Sequence, residues 1–330
     1  YSRILRALME LSYSFLIKRY LKNNLTESFD AVICYSPSIF FGSAISFIKK
    51  KWSIKSYLIM RDLFPDWAVQ IGIMKKGLVY WFFKGYEKRL IRASDFIGME
   101  SRENVKYCTK IKLDPNKVEH LPNWMGEVQE ANSNIALKYF SEEKINLIYG
   151  GALGVAQDFK SFLQILSKVE YKDIKIVIVG QGEQNESINK IIQAEGMDIS
   201  VLPSLERSQY MDLVKASDAG LIVLNKALKA HNYPGKSFEY MFFSKPIFAY
   251  INKDNEFGKM ILKYDFGYVT EGGELEQLNK NLLLLSESKD LLKKGVNAKK
   301  VLREEFSVKN TASKISQKLS ATRPTTRKNE

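Results

Sequence analysis

The chain has 330 residues, of which 45% are apolar and 26% charged, and it carries a formal net charge of +13. This length suffices for a substantial core and favours about two domains, and no apolar run approaches the roughly 18 residues that span a bilayer. Two cysteines (Cys34 and Cys108) and two histidines (His120 and His231) argue against a disulfide framework and against a metal site. Because the N-terminal segment also lacks a signal-peptide cleavage site, we predict a cytoplasmic protein.

The positive charge is concentrated in the first part of the chain. Residues 1–128 hold 21 Lys and Arg against 12 Asp and Glu, which predicts an anionic partner such as a membrane surface or a lipid diphosphate. Nucleic acid is the weakest candidate, because the basic residues form no known binding motif. The segment KKGLVYWFFKGYEKRLIR (75–92) sets Trp81, Phe82 and Phe83 among cations. Such a helix is typical of a bilayer interface, although a core helix with a charged outer face has the same pattern.

The first part of the chain alternates helical patterns with short apolar runs. Residues 1–23 have apolar side chains at helical spacing and predict one long helix. The predicted strands that follow are 30–37, 56–62, 95–100 and 117–124, and the predicted helices between them are 38–50, 75–92 and 101–110. Continuous apolar strands that alternate with helices favour a parallel sheet covered on both faces.

A polar stretch at 122–143 interrupts this alternation and predicts a linker. A second alternating series follows, with predicted strands at 145–151, 174–179, 198–204, 218–224 and 246–251. We therefore predict an α/β protein with two doubly wound, Rossmann-like parallel-sheet domains. We place the first domain at 1–128, the second at 129–305, and a C-terminal helix with a polar, disordered tail at 306–330.

The first strand of the second domain ends in a glycine turn, YGGALGVAQ (149–157). Gly150 and Gly151 lack the Cβ atom that would keep a ligand from the backbone, and Gly154 keeps the turn tight before a helix predicted to begin near Val155. Ligands of doubly wound sheets bind at the carboxyl ends of the strands. The turn is therefore a candidate binding element, although glycine turns are also common as plain connections.

Two further strand ends belong to the same predicted edge. VGQGE (179–183) is a second glycine turn, and VLPSLERSQY (201–210) follows a later strand. Pro203 and Leu205 are placed to pack against a nucleotide base and to offer backbone groups to its edge.

The segment NYPGKSFEYMFFSKP (232–246) predicts a helix that begins after its Pro-Gly pair. Lys236 lies beside the unpaired backbone N–H groups of that helix start, near Gly235 and Ser237, and this combination attracts phosphate. Glu239 lies one turn later on the same face, within reach of a nucleotide sugar. We interpret the segment as a nucleotide-diphosphate site; the alternative is an ordinary amphipathic helix with a solvated lysine.

Five motifs follow one another along the chain: RDLFPDWAVQIG (61–72), HLPNWMG (120–126), YGGALGVAQ (149–157), VGQGE (179–183) and YPGKSFEYMFFSKP (233–246). In this order they resemble the retaining glycosyltransferases of family four, which have the two-domain GT-B fold. Within that family the chain is similar to the bacterial L-fucosamine-type amino-sugar transferases of surface-polysaccharide synthesis.

The resemblance implies that Lys236 and the amides near Gly235 and Ser237 hold the donor diphosphate. Glu239 then corresponds to the second of two glutamates separated by seven residues, which grips the ribose hydroxyls. The first of those glutamates falls on His231, a departure from the family pattern that leaves His231 as a candidate catalytic residue.

Two other departures concern charge. The Arg and Lys that many family members carry in the first turn of the second domain fall on Ala152 and Gln157. The resemblance therefore implies that Lys236 and backbone amides bind most of the diphosphate charge.

Family members also have residues ahead of the start of this sequence, so we expect the first domain to lack its opening strands.

Asp62 and Asp66 follow a predicted strand of the first domain. Either is a candidate to position the acceptor hydroxyl or to act as a base. Asp66 is alternatively a helix N-cap, because aspartate is among the preferred residues there.

The predicted function is transfer of an N-acetylated amino sugar from a UDP-sugar to a lipid-linked or oligosaccharide acceptor. The resemblance implies retention, independence of metal, and no cofactor beyond the UDP-sugar co-substrate. The basic first domain suggests a peripheral location at the inner face of the cytoplasmic membrane. Two alternatives stay open: a UDP-sugar 2-epimerase of the same fold, and a non-catalytic remnant that binds the UDP-sugar.

Overall fold

The computed structural model describes residues 3–24, 27–36, 38–110, 113–126, 135–229 and 233–320. The chain divides into two compact units. Unit 1 comprises Tyr1–Pro122 together with Lys309–Glu330, and unit 2 comprises Asn123–Val308. The boundary thus lies slightly before the predicted one. The C-terminal segment, which we predicted as a separate element, groups with unit 1.

Unit 1 contains a sheet of four parallel strands in the order β1-β2-β3-β4. Its elements are α1 (Arg3–Asn24), β1 (Ala31–Ser36), α2 (Gly42–Trp52), β2 (Lys55–Met60), α3 (Asp66–Gln70), α4 (Leu78–Ala93), β3 (Phe96–Met99), α5 (Arg102–Lys110) and β4 (Val118–His120). Strand β2 is central, and Tyr57, Leu58, Ile59 and Met60 are all buried. A strand buried on both faces needs apolar side chains at every position, which is why its sequence does not alternate.

Unit 2 contains a sheet of six parallel strands in the order β10-β9-β8-β5-β6-β7. Its elements are α6 (Ala136–Tyr139), β5 (Ile145–Gly150), α7 (Phe159–Leu166), β6 (Ile174–Val179), α8 (Asn185–Ala194), β7 (Ile199–Leu202), α9 (Arg207–Ala216), β8 (Ala219–Val223), α10 (Lys236–Phe242), β9 (Ile247–Ile251), α11 (Glu256–Lys263), β10 (Gly267–Glu271), α12 (Leu275–Ser286) and α13 (Leu291–Glu305). The first strand of the unit, β5, pairs with both β6 and β8. The order of strand addition therefore reverses at β5, and this switch point is where doubly wound sheets bind their ligands.

The core of unit 2 has two apolar layers, one on each face of the sheet. Leu147 and Tyr149 of β5 belong to one buried cluster, and Ile148 between them belongs to the other. Successive side chains of a strand point to opposite faces, so an unbroken apolar strand supplies both layers. The predicted α/β class with two parallel sheets is confirmed.

The structure differs from the prediction in several elements. Helix α7 begins at Phe159 rather than near Val155, because Asp158 is its N-cap and accepts a hydrogen bond from the Ser161 amide at 3.4 Å. Helix α6 lies within the stretch predicted as a linker, and α11 and β10 were not predicted. The tail at 321–330, predicted to be disordered, lies outside the described residues.

A final helix, α14 (Val308–Ser320), closes the described part of the chain. Its Thr311 and Ile315 are buried, and the Lys318 ammonium lies 5.6 Å from the ring centroid of Phe96 in β3. These contacts explain why the C-terminal helix belongs to unit 1. Among the described helices, none combines the length and the apolarity required to cross a bilayer.

Candidate functional site

The turns after β5 and β6 pack against each other through their backbones. The Gly151 amide donates to the Val179 carbonyl at 2.9 Å, and the Leu153 amide donates to the Gln181 carbonyl at 3.2 Å. Gly180 has a φ of +157°, and a Cβ on it would collide with the Gly151 carbonyl oxygen. Only glycine fits there. The two turns consequently form one platform at the switch point of the unit 2 sheet.

Lys236, the first residue of α10, extends over this platform. A Cβ on Gly151 would lie 3.0 Å from Lys236 Cε and 3.3 Å from its Nζ. The ammonium lies 4.4 Å from the ring centroid of Tyr149 and 3.3 Å from its hydroxyl. The structure therefore brings the predicted glycine turn and the predicted lysine together.

The environment of Lys236 is unfavourable for its charge. Burial lowers its pKa to about 8, and the nearby Glu239 only partly opposes this effect. Lys236 forms no ion pair with any carboxylate of the described residues. A poorly solvated cation without a counter-ion is costly, so this position favours the arrival of an anion.

Glu239 lies one helical turn after Lys236, and 17% of its side chain is exposed. Its Oε1 is 3.4 Å from the guanidinium of Arg207 at the start of α9. Burial raises the pKa of Glu239, whereas Arg207 and Lys236 oppose that rise. The carboxylate is thus a partly exposed hydrogen-bond acceptor beside the platform.

The start of α10 differs from the expectation at Ser237. Its amide donates to the Pro234 carbonyl at 2.9 Å, its hydroxyl donates to the same oxygen at 2.6 Å, and the residue is fully buried. This geometry contradicts a role for the Ser237 amide in holding phosphate. Gly235, in contrast, is exposed, and a Cβ placed on it would have no atom within 4 Å.

The remaining predicted residues of unit 2 surround the platform less directly. The Gly154 amide donates to Gln157 Oε1 at 3.3 Å and closes the turn. Pro203 is exposed after β7, while Leu205 packs against the core. The Gly180 amide donates to the Leu202 carbonyl at 3.0 Å, which ties this loop to the platform.

In unit 1 the two candidate aspartates have different environments. Asp62 is half-buried, burial raises its pKa, and no hydrogen bond or ion pair links its carboxyl to another described residue. Asp66 accepts hydrogen bonds from the Tyr80 hydroxyl and from Lys84 Nζ, both at 2.7 Å. Pro65 occupies the N-cap position of α3, so Asp66 is not the cap. His231, the third catalytic candidate, lies outside the described residues.

The residue before Asp62 links the ends of two strands of unit 1. Arg61 is buried, and its Nη1 donates to the Leu121 carbonyl at 2.7 Å. This bond joins the end of β2 to the residue after β4. The start of the motif at 61–72 and the first residues of the motif at 120–126 are therefore neighbours at the carboxyl edge of the unit 1 sheet.

The family model for group 1 glycosyl transferases matches residues 133–301, just over half of the chain. The chain belongs to this family. The matched segment contains the whole glycine platform together with Lys236 and Glu239.

Relatives of this group 1 glycosyl transferase are distant. It is 20% identical over 222 residues to WbjE of Pseudomonas aeruginosa, described as a probable glycosyltransferase, which covers 65% of this chain and 55% of WbjE. It is 20% identical over 218 residues to WcaI of Escherichia coli K12, described as a putative colanic acid biosynthesis glycosyl transferase, with coverage of 63% and 54%. The chain spans about half the length of the curated relatives it matches.

A solved structure supports the fold assignment. The Anabaena protein Alr3699/HepE, crystallised in complex with UDP, superposes with a TM-score of 0.68 at 13% identity, covering 93% of this chain and 81% of HepE. Together with the two parallel-sheet units, this similarity assigns the GT-B fold to the group 1 glycosyl transferase described here.

Three tyrosines of this group 1 glycosyl transferase shape the platform but were not singled out from the sequence. Tyr149 donates its hydroxyl to the Ala152 carbonyl at 2.8 Å and accepts from Lys236. Tyr240 accepts from the Gly150 amide at 3.2 Å, and a Cβ on Gly150 would collide with Tyr210. The glycine pair next to a strand-terminal tyrosine was the signal available, but it does not reveal contacts with distant helices.

Proposed function

We propose that this group 1 glycosyl transferase moves an N-acetylated amino sugar from a UDP-sugar to a lipid-linked or oligosaccharide acceptor, with retention and without a metal ion. The family match supports sugar transfer. The UDP complex of HepE supports a UDP-linked donor, and the description of WcaI supports a role in polysaccharide synthesis. The amino sugar rests on the resemblance carried by the motifs at 61–72 and 233–246.

The observation that carries the proposal is the position of Lys236 on the glycine platform. Breaking the bond between sugar and phosphate develops negative charge on the departing diphosphate. A donor that already points at this charge lowers the barrier, and loss of one such donor typically costs about 10²–10³ in rate. Lys236 pairs with no carboxylate in the part of the chain that the structure describes, and it lies over Gly151, so a diphosphate resting on the turn neutralises it.

The neighbouring groups give the donor site its polarity. Gly235 leaves the approach to Lys236 open, and the Gly151 backbone is exposed on the other side. Glu239, held by Arg207, offers carboxylate oxygens to ribose hydroxyls, which are hydrogen-bond donors. Cation and carboxylate one turn apart thus fit a nucleoside diphosphate.

On the acceptor side we assign Asp62 rather than Asp66. A carboxylate whose pKa is raised by burial is a better hydrogen-bond acceptor and base for a sugar hydroxyl. Both oxygens of Asp66 are already bonded by Tyr80 and Lys84. We propose that Asp62 positions the acceptor hydroxyl, while an oxygen of the departing diphosphate takes its proton on the same face.

A lipid-linked acceptor places the enzyme at the inner face of the cytoplasmic membrane. The charge surplus of residues 1–128, 21 cations against 12 acids, supports attraction to that surface. Donor chemistry belongs to unit 2, and the basic surplus belongs mainly to unit 1.

Product analysis by mass spectrometry tests the proposal. The protein is incubated with UDP-linked N-acetylamino sugars, with and without a membrane extract as the source of acceptor. A transferase gives a glycosylated acceptor and UDP only when the extract is present. Isomerised donor without extract would indicate an epimerase, and bound donor without product would indicate a non-catalytic protein.

Two variants link that activity to the site. Lys236→Ala is expected to lower transfer by about 10²–10³ without loss of the fold. Lys190→Ala removes an exposed lysine of α8 that pairs with Glu186 and serves as the matched control. Transfer by Lys236→Ala at the rate of this control would contradict the proposed role of the lysine.

A further inference from the structure

Helix α4 of unit 1 presents an apolar surface to solvent. Leu78 is 91% exposed, and Val79, Trp81 and Phe82 are also exposed in its first turns. The opposite face is buried, where Tyr80 and Lys84 hold Asp66. A helix on the surface of a monomer normally turns polar residues outward. The outward side of α4 is therefore a candidate contact surface.

Cations border this apolar surface at both ends. Lys75 and Lys76 precede the helix, and Lys88, Arg89 and Arg92 are exposed along its later turns. None of these five cations forms an ion pair with a carboxylate of the described residues. The acid of α4, Glu87, is buried and pairs with Lys84. The exposed side of the helix consequently carries apolar and positive groups without an exposed carboxylate of its own.

A shallow cavity of about 440 Å³, wide open to solvent, lies at the C-terminal end of α4. Lys49, Lys50, Lys55 and Arg92 contribute to its lining, against a single acid, Asp95. Asp95 is neutralised by Lys49, whose Nζ lies 2.7 Å from its Oδ2. The cavity therefore keeps a net positive lining and has room for one phosphate headgroup.

We propose that the outward side of α4 docks on an anionic lipid bilayer. Leu78, Val79, Trp81 and Phe82 enter the boundary between headgroups and acyl chains, as in interfacial amphipathic helices. The bordering cations contact lipid phosphates, and the cavity beside Arg92 receives the headgroup of one anionic phospholipid. This proposal rests on the membrane location proposed above and names the surface that makes the contact. Docking can be measured without any sugar transfer.

The charge pattern favours a bilayer over other occupants. A second copy of the same surface would bring five exposed cations opposite five cations, and like charges across an interface are repelled. Trp81 and Phe82 could stack on nucleotide bases, but single-stranded nucleic acid would leave the aliphatic Leu78 and Val79, which are highly exposed, in water. An anionic bilayer satisfies both the apolar and the cationic groups.

Flotation with lipid vesicles tests the docking surface. The protein is mixed with vesicles of phosphatidylcholine alone or of phosphatidylcholine with phosphatidylglycerol. We expect binding to the mixed vesicles that weakens with salt, because each cation near an anionic surface contributes roughly fivefold in affinity. Binding to neither vesicle, or equal binding to both, would overturn the proposal.

Variants locate the contact on α4. Leu78→Glu with Val79→Glu changes two exposed side chains and is expected to lower vesicle binding at least tenfold; Trp81→Ala tests the same surface independently. Lys50→Ala with Arg92→Ala is expected to lower binding to the mixed vesicles by roughly 25-fold and so to weaken the preference for anionic lipid. The control is Leu292→Ser, which replaces an 85% exposed leucine of unit 2 and is expected to bind as the wild type.

Two further outcomes would reassign the surface. A dimer in analytical ultracentrifugation that the Leu78 and Val79 variant abolishes would mean a second copy. Tighter binding to a single-stranded oligonucleotide than to the mixed vesicles would mean nucleic acid. Thermal unfolding of each variant confirms that lost binding does not reflect lost structure.

Discussion

Lys84 of unit 1 is buried and Lys236 of unit 2 is half-buried, but the surroundings of the two lysines act on their charge in opposite ways. Lys84 of unit 1 is buried between Asp66 and Glu87, at 2.7 and 2.5 Å. Burial acts to lower its pKa, but the two carboxylates outweigh burial and raise it. Lys236 of unit 2 has no carboxylate partner among the described residues, and burial lowers its pKa to about 8. Lys84 therefore has its counter-ions in place, whereas Lys236 is the cation for which we propose an anionic ligand.

The two units also differ in their exposed aromatic side chains. Among the described residues, every exposed aromatic side chain belongs to unit 1. The exposed aromatic residues are Tyr13, Phe15, Tyr20, Phe29, Tyr35, Trp81 and Phe82. Unit 2 exposes aliphatic side chains and instead presents a glycine platform with open backbone. This difference agrees with the two proposals above, which assign a small polar ligand to unit 2 and a larger partner with apolar character to unit 1.

The largest expected effect tests the structural lysine. Lys84→Met leaves Asp66 and Glu87 buried without their cation, and breaking such a pair costs about 3–5 kcal/mol. We expect the midpoint of urea unfolding to fall accordingly. Lys88→Met, one turn later and exposed, should stay within about 0.5 kcal/mol of the wild type. Equal stability of the two variants would show that Lys84 does not stabilise unit 1.

The second prediction distinguishes the two aspartates of unit 1. Asp62→Asn is expected to lower transfer roughly 10²-fold, because the acceptor hydroxyl loses the carboxylate that positions it, while UDP affinity is unchanged. Asp66→Asn should instead lower the unfolding midpoint, because it weakens the contact with Lys84. If Asp62→Asn transfers like the wild type, Asp62 has no part in positioning the acceptor.

The third prediction concerns pH and the lysine of unit 2. A bound diphosphate raises the pKa of Lys236 above its free value of about 8. Below that pH the lysine is protonated with or without ligand, whereas above it binding must take up a proton. UDP affinity measured by calorimetry should therefore fall above pH 8, by at most about tenfold per pH unit. Lys236→Arg should abolish this decline, because arginine stays charged.

The smallest expected effect concerns Tyr149. Tyr149→Phe keeps the ring beneath the ammonium but removes the hydroxyl that accepts from Lys236 and donates to Ala152. One such hydrogen bond contributes about 1 kcal/mol, so UDP should bind about fivefold more weakly. Tyr171→Phe, a half-buried tyrosine elsewhere in unit 2, is the control. A loss shared by UDP and uridine would indicate general damage rather than a misplaced lysine.

Much of the arrangement was predictable because strand polarity alone fixes which loops meet. The carboxyl ends of parallel strands share one edge, and this placed the glycine turn after β5 beside the segment that follows β8. The pairing of Gly151 with Lys236 follows from that rule. The sequence did not predict that α14 belongs to unit 1, because α14 joins that unit through contacts with β3 and not by adjacency along the chain.

The details that the sequence missed depend on contacts between distant residues. Tyr149 and Lys236 are separated by 87 positions, and no local sequence pattern predicts their hydrogen bond. Ser237 looked available from its place beside a helix start, but the Pro234 carbonyl takes both of its donors. Asp66 likewise fits the sequence pattern of a helix N-cap, but its carboxylate accepts hydrogen bonds from Tyr80 and Lys84 of the next helix instead.

The central claim is that Lys236 binds the diphosphate of the donor, and calorimetric titration tests it with two ligands that differ only in phosphate. UDP and uridine are each titrated into the wild type and into Lys236→Ala. A hydrogen bond to a charged group contributes about 1.5–3 kcal/mol, so the variant should bind UDP roughly 10- to 150-fold more weakly and bind uridine unchanged. Equal UDP affinity in the two proteins would contradict the claim.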